Sequence, residues 1–213
     1  MNLVSPYKNI IQYARIPIKP HQMNADIRSN IKSTTKTIKE KKCNKNGFID
    51  EVYKILECSD GMMPPENLNG SAISNIKFFC KICIPIENTL IIGQVSVINQ
   101  ELIIVKNGPI IIFIPKDNID SNYWDIIDGY INKKTNKKLM TEDYVKVQIT
   151  DKNINQNDTL IKSMGKLNDF ATLEEVNKYF GSKIVKNSNS ETESIIQDTD
   201  TVENSETESN YII

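Results

Sequence analysis

The sequence predicts an α+β fold in which a sheet backed by one helix precedes a small five-stranded barrel, a short helix and an acidic, disordered tail. Three observations carry this prediction. Between Ile76 and Ile119, short runs of β-branched and aromatic residues are separated by Pro85, Asn99-Gln100, Asn107-Gly108 and Pro115, the pattern of strands joined by tight turns. Ile27, Ile31 and Ile38 recur at helical spacing behind Asn24. After Lys186 there is no Lys or Arg, whereas seven Asp and Glu occur. At 213 residues the chain can hold two small domains that share an interface.

Taken in order, Ala14 to Pro20 alternates Ile16 and Ile18 with a proline on either side, which suits an edge strand because proline cannot donate to a ladder on both sides. Asn24 is a candidate cap for an amphipathic helix from Ala25 to Lys39 that lays one stripe on a sheet. Asn46-Gly47 marks a turn, and Phe48 to Leu56 reads as the strand leading out of it. Cys58 to Gly70 is too rich in breakers for regular structure. It carries Met62-Met63, which either tuck under the loop or form an adaptable docking tip. A strand from Ile76 to Ile86 closes the N-terminal sheet, and Glu87-Asn88 makes a junction. Thr89–Ile98, Leu102–Val105, Pro109–Pro115, Tyr144–Ile149 and Thr159–Met164 then give five strands, with a long excursion after the third that includes the polar insert 132–138. That is the layout of an oligonucleotide-binding barrel of the S1 type. Thr172-Leu-Glu-Glu175 is a capping box opening a short helix with Leu173, Val176 and Phe180 on one face, ended by Gly181. In the tail, Asn189-Ser-Glu-Thr-Glu-Ser194 recurs at Asn204–Ser209. Such a segment buries too little apolar surface to order itself.

Charge and composition bound the function. The formal net charge is -1, but without the seven tail acids the chain carries 26 basic and 20 acidic residues, a mildly basic body. Heavy use of Ile, Asn and Lys reflects an AT-rich genome. No apolar run follows a basic start, and no window reaches the length of a membrane span, so the expectation is an intracellular protein with reduced thiols and no membrane partner. Cys80 and Cys83 lie three apart within a strand and should face opposite ways, whereas a zinc pair needs a turn. The expectation is therefore structural thiols and no metal. His21 is the only histidine, and no phosphate loop or dinucleotide fingerprint is present, so neither an enzyme nor a cofactor is predicted. Lysines in the barrel region, with Phe113 and the later Tyr123, Trp124, Tyr130 and Tyr144, are either a solvated surface or a basic groove with stacking aromatics.

The order of these features resembles one family. A strand ending at Pro20, a helix with Asp26-Ile27 and Ile31-Lys32, Glu40 followed by Cys43 and Gly47-Phe48, a loop with Gly61 and Gly70, a strand ending near Pro85, Gly93-x-Val95, Val97-Ile98-Asn99, Asn107-Gly108-Pro109 and Phe113-Ile114 resemble the larger stalk subunit of multisubunit RNA polymerases. These are the seventh subunit of eukaryotic polymerase II and the archaeal E subunit. The resemblance runs from Ile10 to Leu167.

The resemblance implies a truncated ribonucleoprotein-like N-terminal domain (1–86), an S1-type OB barrel (87–170), a short helix (171–186) and the tail (187–213). It implies a non-catalytic subunit of a DNA-directed RNA polymerase that docks on the core near the clamp and supports transcription initiation. Asn44, Lys45, Asn46, Gly47, Phe48, Asp60, Gly61, Met62 and Met63 would form the docking tip. Lys106, Phe113, Lys116 and Lys146 are the candidate RNA contacts. Partners would be the large core subunits, a smaller stalk subunit and single-stranded nascent RNA. Lys41 stands where relatives carry glycine, which predicts a different turn there. Leu102-Ile103-Ile104 replaces a Gly-aromatic element and removes a stacking residue. An AT-rich, tailed version suits a large DNA virus, with the protein in the host cytoplasm, the viral factory or the virion, or in the nucleus if cellular. The alternative is a free-standing S1-type RNA-binding protein.

Overall fold

The computed structural model describes residues 3–65, 68–126 and 129–181, so the predicted tail and its repeats lie outside the described residues. The N-terminal half is built from β1 (Tyr7–Ile18), α1 (Ile27–Lys39), β2 (Lys42–Asn44), β3 (Gly47–Cys58) and β4 (Ala72–Cys83). The four strands pair antiparallel in the order β1-β4-β3-β2. β1 is the edge strand that Pro17 requires, although it begins at Tyr7 and not near Ala14. β4 is central rather than closing the sheet, since β1 and β3 flank it.

One face of this sheet is buried under α1. Ile31 and Thr35 are buried, and Ile38 packs at the same core, whereas Ile27 is exposed. The stripe therefore continues through Thr35 instead of beginning at Ile27. Its hydroxyl donates to the Ile31 carbonyl at 2.7 Å, which is how a polar group sits in an apolar layer. Asn24 is not the helix cap. Asp26 occupies that position without a side-chain cap bond, and Asn24 Oδ1 accepts from Asp26 N (3.0 Å) and Asn30 Nδ2 (2.9 Å) instead. Ile16, Val52, Ile76, Phe78 and Cys80 face the helix with almost no solvent exposure. Burying each large aliphatic side chain contributes about 2 kcal/mol.

The C-terminal half is a closed OB-like barrel of β5 (Leu90–Ile98), β6 (Leu102–Asn107), β7 (Ile110–Pro115), β10 (Tyr144–Asn153) and β11 (Ile161–Phe170). The excursion between β7 and β10 supplies the short pair β8 (Trp124–Asp125) and β9 (Ile131–Asn132). Around the barrel the order is β10-β11-β7-β6-β5, β5 closes on β10, and β11 runs parallel to β7. Alternation points Ile103, Val105, Ile110, Ile112, Val145, Val147 and Ile161 inward, and all seven are fully buried. At Gly93 a Cβ would collide with Val105 Cγ1, so strand β5 can close on β6 only with glycine there.

The excursion is not a loose insert. Trp124 is buried and donates its indole N–H to the Asn168 carbonyl at 3.2 Å. Tyr130 is buried, with its hydroxyl on the Asn99 and Gln100 carbonyls at 2.9 and 3.0 Å. Both aromatics are thereby withdrawn from any stacking platform. Helix α2 (Leu173–Phe180) opens with the expected capping box: Thr172 Oγ1 accepts from Glu175 N, and Glu175 Oε2 accepts from Thr172 N at 2.9 Å. Its inward side is Val176 and Tyr179, however, while Leu173 points to solvent. None of the described helices is long and apolar enough to cross a membrane.

Candidate functional site

The nine residues expected to form one docking tip fall at opposite ends of β3. Asn44 to Phe48 make the β2–β3 turn, whereas Asp60 to Met63 follow the far end of the strand. Along β4 the first group lies opposite Cys83 and the second opposite Ile73, which sets them about 35 Å apart.

The near group is committed to the barrel. Cys43 N donates to the Asp158 carbonyl at 2.7 Å, and Asn157 N donates to the Cys43 carbonyl at 2.9 Å, so the outer edge of β2 is taken up by the β10–β11 loop. Asn44 Nδ2 donates to Gln12 Oε1 at 2.7 Å. Gly47 has φ +125° and a Cβ there would lie 2.8 Å from the Cys83 carbonyl oxygen, so no other residue fits. Phe48 is only 4% exposed and packs in the barrel core with Cys43 and Cys83. Gly47 and Phe48 are therefore junction residues, not surface ones. Lys45 and Asn46 alone in this group are fully at the surface.

The far group is exposed, with Met62 at 72% and Met63 at 61%. Its backbone is nonetheless fixed. Met62 N donates to the Ile73 carbonyl at 3.0 Å and Ile73 N returns the bond at 2.8 Å, while Ser74 Oγ donates to the Ser59 carbonyl at 2.8 Å. The methionines do not tuck under the loop, and Ile73, bridged to Met62, adds apolar surface beside them. An apolar cluster held out on a pinned backbone is a docking geometry.

At the junction, the register Cys43↔Phe48↔Cys83↔Tyr7 runs across all four strands on the face opposite α1, and this row packs against the end of the barrel. Cys83 thus belongs to the barrel core, and Cys80, three residues earlier, to the helix-side core, as strand alternation requires. Burial, aided by the Asp50 carboxylate, pushes the Cys83 thiol from 9.0 to about 12, with a hydrogen bond from Tyr7 opposing the rise. Burial alone takes Cys80 to about 11. Groups whose folded value is raised stabilise the fold fully below the unfolded value and lose that contribution as pH climbs through the folded one. Melting temperature is therefore expected to be flat to about pH 9 and to fall between 9 and 12. Cys80→Ala/Cys83→Ala should melt lower at neutral pH but show a shallower alkaline decline. An unchanged alkaline slope in that variant would show that the thiols do not govern it.

Lys41, expected to alter the turn, instead adopts the left-handed conformation natural to glycine, with φ 58°. Its ammonium lies 2.7 Å from Asp50, which also meets Lys81 at 3.2 Å. These two lysines hold the Asp50 carboxyl below its usual range against the opposing effect of burial.

On the barrel, the structure gathers two of the four candidate RNA contacts on one wall. Outward positions of β6, β7 and β11 align Ile104, Phe113 and Met164 in one row, and Lys106, Ile111 and Lys162 in the next. Lys116 follows the end of β7. Lys146 stands apart on β10, engaged with Glu175 at 2.8 Å. Lys166, outward on β11, completes the wall and was not singled out from sequence, because nothing in the chain announces that β11 runs beside β7. Among the described residues, Lys106, Lys116, Lys162 and Lys166 have no ion pair. An apolar row with a half-buried ring, flanked by ammonium groups without ion pairs, can accept bases and phosphates.

The chain matches no family model. A relative from Acanthamoeba polyphaga mimivirus, described as "Putative DNA-directed RNA polymerase subunit L376", is 33% identical over 172 residues, covering 80% of this chain and 86% of the relative.

Proposed function

This chain belongs to the family of the mimivirus DNA-directed RNA polymerase subunit, and on that premise we propose that it is the larger, non-catalytic stalk subunit of a viral RNA polymerase. In this reading the N-terminal half (1–86) is the truncated ribonucleoprotein-like domain and the barrel (87–170) is the S1 half. The free end of the sheet, with Asp60 to Met63, docks on the large core subunits near the clamp. The barrel wall bearing Lys106 and Phe113, with Lys116 just beyond the end of β7, faces emerging RNA, and a smaller stalk subunit completes the pair. The site of action is intracellular, in the viral factory or virion.

The observation that carries this reading is the junction row. Because Cys43, Phe48 and Cys83 share a core with the barrel, sheet and barrel form one lever with an apolar tip at its far end. A lever of this kind suits a part that anchors at one end and presents a binding wall at the other. The test is affinity purification of the tagged chain from infected or co-expressing cells under mild salt, with mass identification of partners. The two largest polymerase subunits are expected in stoichiometric amounts. A chain that elutes free of them overturns the proposal.

A further inference from the structure

On the outward side of β6, β7 and β11, between Leu102 and Lys106, Ile111 and Pro115, and Lys162 and Lys166, every charged side chain is a lysine. The middle row of Ile104, Phe113 and Met164 is widened by Val97 of β5, which pairs with Ile104, and Met164 and Val97 are 43% and 38% exposed. Lys106 and Lys162 flank this row on one side and Lys166 on the other. Outward positions repeat about every 7 Å along a strand, so Lys162 and Lys166 stand about 14 Å apart with apolar surface between them. Helix α2 ends beside this wall. Asn107 Nδ2 donates to the hydroxyl of Tyr179, in the last turn of α2, at 3.2 Å, and Asn107 follows Lys106 on β6. The described chain stops two residues later, at Gly181. Beyond it, from Glu191 to Glu208, the sequence carries seven acids and no base, with Ile195-Ile196 and Val202 set among them.

We infer that the acidic tail, 187–213, is an occupant of this wall within the same chain, with its carboxylates on Lys106, Lys162 and Lys166 and its Ile195-Ile196 pair on the row of Ile104, Phe113 and Met164. Glu191 and Glu193 precede the two isoleucines, and Asp198 and Asp200 follow them. The tail therefore presents acid, apolar pair and acid to a surface that presents lysine, apolar row and lysine. Its reach is sufficient, because the stretch from Gly181 to Glu191 can span up to about 35 Å. Tethering sets an effective concentration of roughly millimolar, so contacts too weak to hold a separate peptide keep the tail on the wall at low salt. A second cationic surface is the cleft of about 630 Å³ between α1 and β3, lined by Arg28, Lys32 and Lys54 but also by Glu57. The end of α2 is seated on the barrel instead, which favours the wall. The contact stands on wall and tail alone. Its consequence, that single-stranded RNA has to displace the tail because phosphates compete for the same ammonium groups, rests on the barrel-wall reading proposed above.

The test uses the full chain. Carbodiimide joins carboxylates to amines in direct contact, and peptide mapping should find the tail acids coupled to Lys106, Lys162 and Lys166 at a yield independent of protein concentration. Replacing the seven acids from Glu191 to Glu208 by their amides should abolish these cross-links and move the backbone NMR signals of β6, β7 and β11. With fluorescent oligouridylate as the probe, a wall that is open about one-tenth of the time binds about 10-fold more weakly than a bare one. The amide variant should recover that factor at low salt, and the gap should close near roughly 0.5 M salt as screening loosens the tail. Ile195→Ser/Ile196→Ser, which leaves the charge unchanged, should recover part of it, a result that general electrostatics cannot produce. Cross-links spread over all exposed lysines or gathered on Lys32 and Lys54, or wall signals that do not move, would overturn the inference. A yield that rises with concentration, with covalent dimers, would overturn it in favour of a second copy's wall. Cross-links with unchanged oligomer affinity would keep the contact and overturn its gating of RNA. If neither protein binds the oligomer, the RNA reading fails, and the cross-links and spectra still decide the tail contact.

Discussion

Phe48→Ala is expected to destabilise the protein by about 3–5 kcal/mol, the cost of emptying a buried aromatic site, and to lower the melting temperature by roughly 10 °C. The ring sits at the one place where sheet and barrel share a core, between Cys43 and Cys83 on neighbouring strands. Little can collapse into the gap, because Gly47 is locked against the Cys83 carbonyl and the β2 backbone is tied to the β10–β11 loop. Thermal melting of purified wild type and variant is the measurement. A variant that melts within a degree or so of wild type would show that Phe48 is not part of the load between the two halves. From sequence, Phe48 was grouped with the docking tip, where its loss would leave stability untouched. The two readings therefore predict opposite results.

Met62→Asp/Met63→Asp should do the reverse. Both side chains are exposed and the loop is held by backbone bonds to Ile73, so the fold has little reason to notice the change. If these methionines anchor the chain on the polymerase core, two charges placed in a desolvated interface should cost at least about 2 kcal/mol, or about 30-fold in affinity. Competitive pull-down with the large subunits measures this. Asn44→Asp/Lys45→Glu at the near turn, about 35 Å away, serves as the control and should bind as wild type does. Should the near-turn variant lose binding and the methionine variant keep it, the docking end has been assigned backwards.

Much of the fold is legible in the chain because its signals are local. Proline at position 17 marks an edge, the Thr172–Glu175 capping box starts a helix, and Pro85, Asn107-Gly108 and Pro115 part the strands. Each of these acts within a few residues. The errors share a cause as well. Leu173 and Tyr179 compete for the inner side of a two-turn helix, and only the barrel end, offering Asn107 and the Val4 carbonyl to the Tyr179 hydroxyl, decides for the tyrosine. Trp124 and Tyr130 look like stacking aromatics until the carbonyls that receive their polar tips, at Asn168 and Asn99, are brought near by the fold.

The candidate site divides in the same way. By itself the sequence determined the five barrel strands, the helix-backed sheet before them, and the opposed burial of Cys80 and Cys83, since period-two alternation leaves no other outcome. Only the tertiary structure decided that the residues expected to form one docking tip fall into two groups, that Phe48 faces inward, and that Lys106, Phe113 and Lys162 share a wall. The physical reason is that strand direction and pairing set these distances. The sheet carries the two groups about 35 Å apart although sequence counts them as near neighbours, and parallel pairing of β7 with β11 joins residues that the chain separates by an entire excursion.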